Sequence, residues 1–368
     1  MRRLLLALSV VWALLALSTH AGEPTFTGYG YLDHREFIGT NTGQVATPRS
    51  FGIDGTTLEV AEKVVVDVTQ GVNVNMKMCF GCHGIELAQG YGEWQANDKV
   101  NIRLGRFNVP VGEFNTRSDP TNYTTPSKPL PYAMGDMLFY LPAGFNLGVV
   151  PTPYVDNGIE VFGSLASSKD LQFDYSVYAV KGFSGTNDLD FVQSRNYIDN
   201  NHTPAVGTRL VLSSGDFSVG ASAGGGFYDP KDSLRYGYAG AELYWRVSSL
   251  VFRGEVIDRL TEFDPTVPGY RFAITDHYFS KLGWYAQADW NATEWLSLMY
   301  RSDGLHRMGM PLPGSDISSP QAGIFRQTVA FLARRKQFAV KGGYEYWHVY
   351  GAPYASQHVI RVGLMFSY

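Results

Sequence analysis

Gln357-His358-Val359-Ile360-Arg361-Val362-Gly363-Leu364-Met365-Phe366-Ser367-Tyr368 closes the chain. Ile360, Val362, Leu364, Phe366 and Tyr368 fall on every second position, with Arg361 and Gly363 between them. An extended backbone turns such a set to one side and its neighbours to the other. The same period runs back up the chain. Phe338 to His348 repeats it, Ser280 to Asp289 sets Leu282, Trp284, Ala286 and Ala288 against Lys281, Gln287 and Asp289, and Leu171 to Lys181 alternates Leu171, Phe173, Tyr175 and Val177 with Gln172, Asp174 and Ser176. In Val72 to Cys79, Val72, Val74, Met76 and Met78 oppose Asn73, Asn75, Lys77 and Cys79. Thr57 to Val68 follows suit, although Glu62 interrupts its apolar side.

One alternating run also suits a soluble sheet with a wet face. About sixteen runs do not, and they begin near residues 26, 57, 72, 85, 100, 158, 171, 205, 217, 235, 249, 277, 294, 325, 338 and 357. An even number near sixteen predicts an all-β fold, a transmembrane antiparallel β-barrel. The connections alternate in length. Thr69-Gln70-Gly71, Asn97-Asp98-Lys99 and Ser214-Gly215-Asp216 are tight, whereas residues 38 to 56, 115 to 157, 183 to 204, 261 to 276 and 306 to 324 form long loops. Short turns facing the periplasm and long loops facing outward are the barrel pattern.

The remaining composition agrees. Met1, Arg2 and Arg3, an apolar segment from Leu4 to Leu17 and the small-residue end near Ala21 read as a secretory signal peptide over residues 1–21, leaving 22–368 as the barrel. Beyond it no segment approaches 18 consecutive apolar residues, so no transmembrane helix is expected. Forty glycines, 23 tyrosines and 22 phenylalanines suit alternating faces and aromatic girdles. A net charge of −4 supplies no basic excess for nucleic acid. No G-x-S-x-G, H-E-x-x-H or P-loop pattern occurs, so no enzymatic activity is expected.

Two stretches carry resemblances. The terminal strand resembles the one read by outer-membrane barrel assembly machinery, although phenylalanine is the usual last residue and Tyr368 departs from it. Ile102-Arg103-Leu104-Gly105-Arg106-Phe107-Asn108-Val109-Pro110-Val111-Gly112-Glu113-Phe114 resembles the strand that leads into the constriction loop of outer-membrane porins of the phosphate-selective O/P type. The resemblance implies a water-filled channel for small polar or ionic solutes in the cell outer membrane, a homotrimer, and contacts with membrane lipid and lipopolysaccharide. The lysine ladders that bind phosphate in that family are not evident here.

Read without the family, Gly105 permits close backbone approach, Pro110 frays the strand, and Gly112 allows a sharp departure. The loop that follows, 115–157, holds seven prolines and is expected to be a rigid pore constriction set by Arg117, Lys128, Asp119 and Asp136. Two cations against two carboxylates predict no strong selectivity from the loop alone. Lys77, Arg103, Arg253 and Lys341, with Asn73, Asn75, Asn101 and Arg209, are expected to face the lumen.

Cys79-Phe80-Gly81-Cys82-His83 is similar to a c-type haem attachment motif. In that reading Cys79 and Cys82 carry one covalent haem c, His83 is the iron ligand, and a redox partner is implied. The other reading has no cofactor and a disulfide between the two thiols, which would not be expected to stay reduced after export. Two functions therefore stand at this point: a passive channel, or a porin-cytochrome fusion for electron transfer at the outer membrane.

Overall fold

The computed structural model describes residues 22–38, 56–81, 84–132, 148–166, 171–186, 189–194, 197–262, 264, 278–308, 321–350 and 356–368. The signal segment and Asp136 lie outside them. Among the described residues, sixteen strands run in chain order as β1 to β16: Thr25–Ile38, Thr56–Thr69, Val72–Gly81, Gly84–Asn97, Val100–Asn108, Val155–Ala166, Gln172–Val180, Ala205–Ser214, Phe217–Phe227, Arg235–Val247, Leu250–Glu262, Tyr278–Asn291, Leu296–Met308, Gln321–Arg335, Phe338–Tyr350 and Gln357–Ser367. Each pairs antiparallel with its chain neighbours, and β1 pairs with β16, closing the barrel. Closure removes the unpaired edges that neither lipid nor a folding chain tolerates.

The alternation read from the sequence sorts the two faces. Val362 and Leu364 are 44% and 50% exposed on the outside, while Arg361 between them is 2% exposed. The same holds in β3, where Met76, Met78 and Phe80 are exposed and Asn75 and Lys77 are buried. This is the arrangement a bilayer imposes, because lipid accepts the apolar face that water would disfavour.

Two oddities of the sequence meet at the seam. Glu62 stands on the apolar side of β2, and Tyr368 replaces the usual phenylalanine. The Tyr368 hydroxyl donates to the Glu62 carboxylate. The bond crosses β1 at Gly28, where a Cβ would sit 2.8 Å from the tyrosine oxygen. A carboxylate on the lipid side is costly unless hydrogen-bonded, and the terminal hydroxyl supplies the partner a phenylalanine could not.

The inward-folding loops and the candidate pore

β5 ends at Asn108, so the excursion begins at Val109 rather than at Asn115, and β6 resumes at Val155. The Val109 amide bonds the Tyr154 carbonyl at 2.8 Å and ties the loop's two limbs together where they leave the wall. Gly112 opens a short helix, α1 (Gly112–Thr116), at φ +65°. Only glycine fits, because a Cβ there would overlap the Tyr132 hydroxyl and the Glu255 carboxylate.

The described part of the loop lies across the barrel interior and is pinned to inward residues of the far wall. Glu255 on β11 accepts the Phe114 amide at 2.7 Å and the Tyr285 hydroxyl at 2.6 Å, and the Tyr132 hydroxyl as well. One carboxylate thus holds the start of the loop and its middle. Asp303 on β13 accepts the Leu130 amide at 2.9 Å. Arg301 donates to the Ser127 carbonyl and Arg326 to that of Lys128, at 3.1 and 2.7 Å. Lys341 donates to the carbonyls of Pro120 and Tyr123 at 2.6 and 2.5 Å.

Beneath the loop these charges form a continuous line along the wall. Arg301–Asp303 (3.2 Å), Asp303–Arg326 (2.5 Å), Arg326–Glu345 (3.6 Å), Glu345–Arg361 (3.7 Å) and Arg361–Asp33 (3.4 Å) run from β13 to β1. All six side chains are buried. Signs alternate along the line, so each charge is offset by its neighbours despite the lost water.

Part of the barrel interior is packed with side chains. The first described part of the loop between β7 and β8 also folds inward, and Phe183 packs on Tyr154, Phe191 and Tyr236 with ring centroids 4.9, 5.4 and 4.6 Å apart. Phe114 packs on Tyr123 and Tyr132 at 5.5 and 5.2 Å. Together with Tyr178, Tyr238, Tyr285 and Trp347 these form one apolar core inside the barrel. Lys181, at the foot of the second loop, lies below the usual ammonium range because burial outweighs the attraction of Asp156. Inward positions that meet the loops therefore carry either aromatic rings or charged side chains that bond the loop backbone.

Water-accessible space remains on the other side. A cavity of about 590 Å³ on the short-turn side is lined by Lys63, Lys77, Arg103 and Arg209, and by Asp98, Asp119, Glu160 and Asp174 among others. Arg103 bridges Glu93 and Glu160, both at 2.7 Å, between the rings of Tyr91 and Phe162. Asp119 reaches from the loop to pair with Lys77 on β3.

The remaining sequence-derived positions separate. Arg117 does not face open space: it pairs with Glu113 at 2.5 Å and lies over the Phe114 ring. Burial works against its charge, but the Glu113 carboxylate outweighs burial and holds it above the ordinary guanidinium range. The Lys128 ammonium reaches the Thr152 carbonyl at 3.4 Å. Arg253 pairs with Asp289 at 2.7 Å and approaches Glu113 at 3.8 Å. Lys341 is wholly buried under the loop rather than open to the lumen, because carbonyls have replaced water around it. Glu255, Asp303, Arg301 and Arg326 are absent from the sequence-derived set. Their inward parity is readable in each strand, but which strands face the loop is not.

Cys82 and His83 lie outside the described residues. Cys79 is placed opposite Glu86 on β4, in register with inward Lys77 two residues before it. Met76 and Met78 point out to the lipid side, so neither can approach a group held on the Cys79 side. His34 and His306 bond Thr56 and Tyr350, each at 2.8 Å. Among the described residues Cys79 is a free thiol. The intact mass of the mature chain separates the two readings: a disulfide lowers it by two hydrogens, a covalent porphyrin raises it, and either difference is lost in Cys79→Ala.

No family of known signature matches the chain, and no curated protein does. Solved structures do match in fold. OmpF of Salmonella typhi, in complex with daunomycin, is 12% identical with a TM-score of 0.62, covering 94% of this chain and 97% of its own. OmpT, an outer membrane protein of Vibrio cholerae, is 8% identical at 0.58, with 94% and 97% covered. The outer membrane channel DcaP of Acinetobacter baumannii is 10% identical at 0.53, with 95% and 98% covered. The fold is that of outer-membrane β-barrels of the general porin type. Identities this low carry the architecture and nothing finer.

Proposed function

We propose that the chain is an outer-membrane channel passing small polar or ionic solutes along the β2 to β8 side of the barrel. The charged cavity beside the pinned loop carries this reading: a barrel serving only as an anchor has no need of a polar interior space. Among the eight charges named along that cavity, four cations face four carboxylates, several of them paired with each other. Balanced lining favours weak ion selectivity and gives no reason to single out phosphate. The barrel would be inserted by the outer-membrane assembly machinery among lipid and lipopolysaccharide. A homotrimer is part of the proposal, since OmpT of Vibrio cholerae has been solved in a trimer form.

Lys77 and Asp119 join wall to loop at the upper end of the cavity, so their link narrows the path. Liposomes carrying Lys77→Gln or Asp119→Asn should swell faster in small sugars than those with the parent protein. The charge swap Lys77→Asp with Asp119→Lys should bring the rate back toward the parent. Parent liposomes that swell no faster than protein-free ones would refute the channel. Parent swelling with unchanged rates in every variant would place this pair off the path.

A further inference from the structure

On the outer wall of β4 to β7, near the long-loop end, the lipid-exposed face is indented by a groove of about 660 Å³. That is within the ~300–1,000 Å³ range in which proteins hold small molecules. Leu104 and Ile159, directly paired across β5 and β6, form its lower lip. Arg106 and Asn157, the next outward pair above them, form the upper lip. Leu87 and Ala179 stand at its sides, and Gly90, opposite Arg106, adds no side chain of its own.

A residue of the second inward loop reaches over the rim to roof this groove. The Tyr197 hydroxyl donates to the Leu87 carbonyl at 2.9 Å, and its own carbonyl accepts the Asn157 side-chain amide at 3.1 Å. The Tyr197 ring lies 4.6 Å from the Arg106 guanidinium, which pairs with Glu86 at 3.4 Å. The next residue, Ile198, is 83% exposed. The groove therefore has an apolar body and a polar upper end.

We propose that this groove holds an acyl chain of an outer-leaflet glycolipid, lipid A, with the sugar-linked end against Asn157 and the half-exposed Tyr197, which covers the buried Arg106. Three observations select that occupant. The groove is continuous with the lipid-exposed surface, Leu104 being 64% exposed at its edge. Its polar end points toward the long loops, which face outward in such barrels, so the chain enters from the outer leaflet. A slot between neighbouring strands admits a chain, whereas a second protein wall would need a broad complementary face. Lipid held on this outer wall does not depend on conduction through the lumen.

The test is native mass spectrometry of the full mature protein, delipidated in mild detergent and titrated with purified lipid A or with phosphatidylethanolamine. Gly90→Phe and Ala179→Phe fill the groove from two strands, and Ala223→Phe on the outer face of β9 is the control. We expect one tightly retained lipid A on the parent and the control, weakened about tenfold or more in both groove variants, and weak retention of phosphatidylethanolamine. Equal lipid A retention in all four proteins would overturn the site. Equal retention of both lipids would overturn the choice of lipid A. Dimer masses lost only in the groove variants would make the groove a contact between copies instead. A variant that fails to assemble leaves the other to decide, since the two lie on different strands.

Discussion

Deleting Thr121 to Pro131 raises single-channel conductance several-fold while the barrel still assembles. The deleted piece supplies the carbonyls of Tyr123, Ser127 and Lys128 that Lys341, Arg301 and Arg326 engage. It supplies none of the sixteen strands, although its Pro126 carbonyl accepts the Tyr31 hydroxyl of β1 at 3.2 Å. Removing it exposes the charged line of the far wall to water, which can solvate the basic groups in place of the lost carbonyls. The net loss per hydrogen bond is then only about 0.5–1.5 kcal/mol, far less than leaving a buried donor without any partner. Conductance gains much more, because the loop crosses the space that the ions would use. Unchanged conductance in assembled protein would mean that the loop does not limit the path.

The second large effect separates the two faces of the wall. On alternation alone, an outward residue should be sensitive to charge and an inward one tolerant. Val362→Arg puts a charge into lipid and should cost about 2–4 kcal/mol near the midplane. Asn101→Arg, on the inward side of β5 at the open cavity, should be close to neutral. Arg361→Ala breaks that simple rule. It leaves Glu345 and Asp33 buried beside a missing partner, a loss of about 3–5 kcal/mol. We therefore expect Arg361→Ala to lower the urea midpoint of vesicle-folded protein at least as much as Val362→Arg. If Asn101→Arg proved as harmful as Val362→Arg, the register would be wrong by one residue.

The barrel was legible because its signal is local. Side-chain direction has a period of two, so the runs starting at residues 72, 100, 205, 217, 235, 338 and 357 coincide with strand starts, and the largest discrepancy is at β14, which begins at Gln321 rather than near 325. The launch of the loop was legible too, since Gly112 needs a conformation that other residues avoid. What the loop meets was not. Glu255 pairs with loop residues more than a hundred positions away, and no local pattern distinguishes it from any other inward carboxylate. The same blindness made Lys341 look like a pore charge, although it anchors carbonyls. Arg117 reads as a free cation in sequence, yet Glu113 lies one helical turn away and takes it.

The most direct test of the central claim, that a water path remains beside the packed loops, is planar-bilayer recording of the purified mature parent protein. Discrete conductance steps are expected, small for a sixteen-strand barrel, with a reversal potential near zero under a salt gradient because the lining charges balance. Protein that inserts, with a sheet-dominated circular dichroism spectrum, yet yields no steps would contradict the claim.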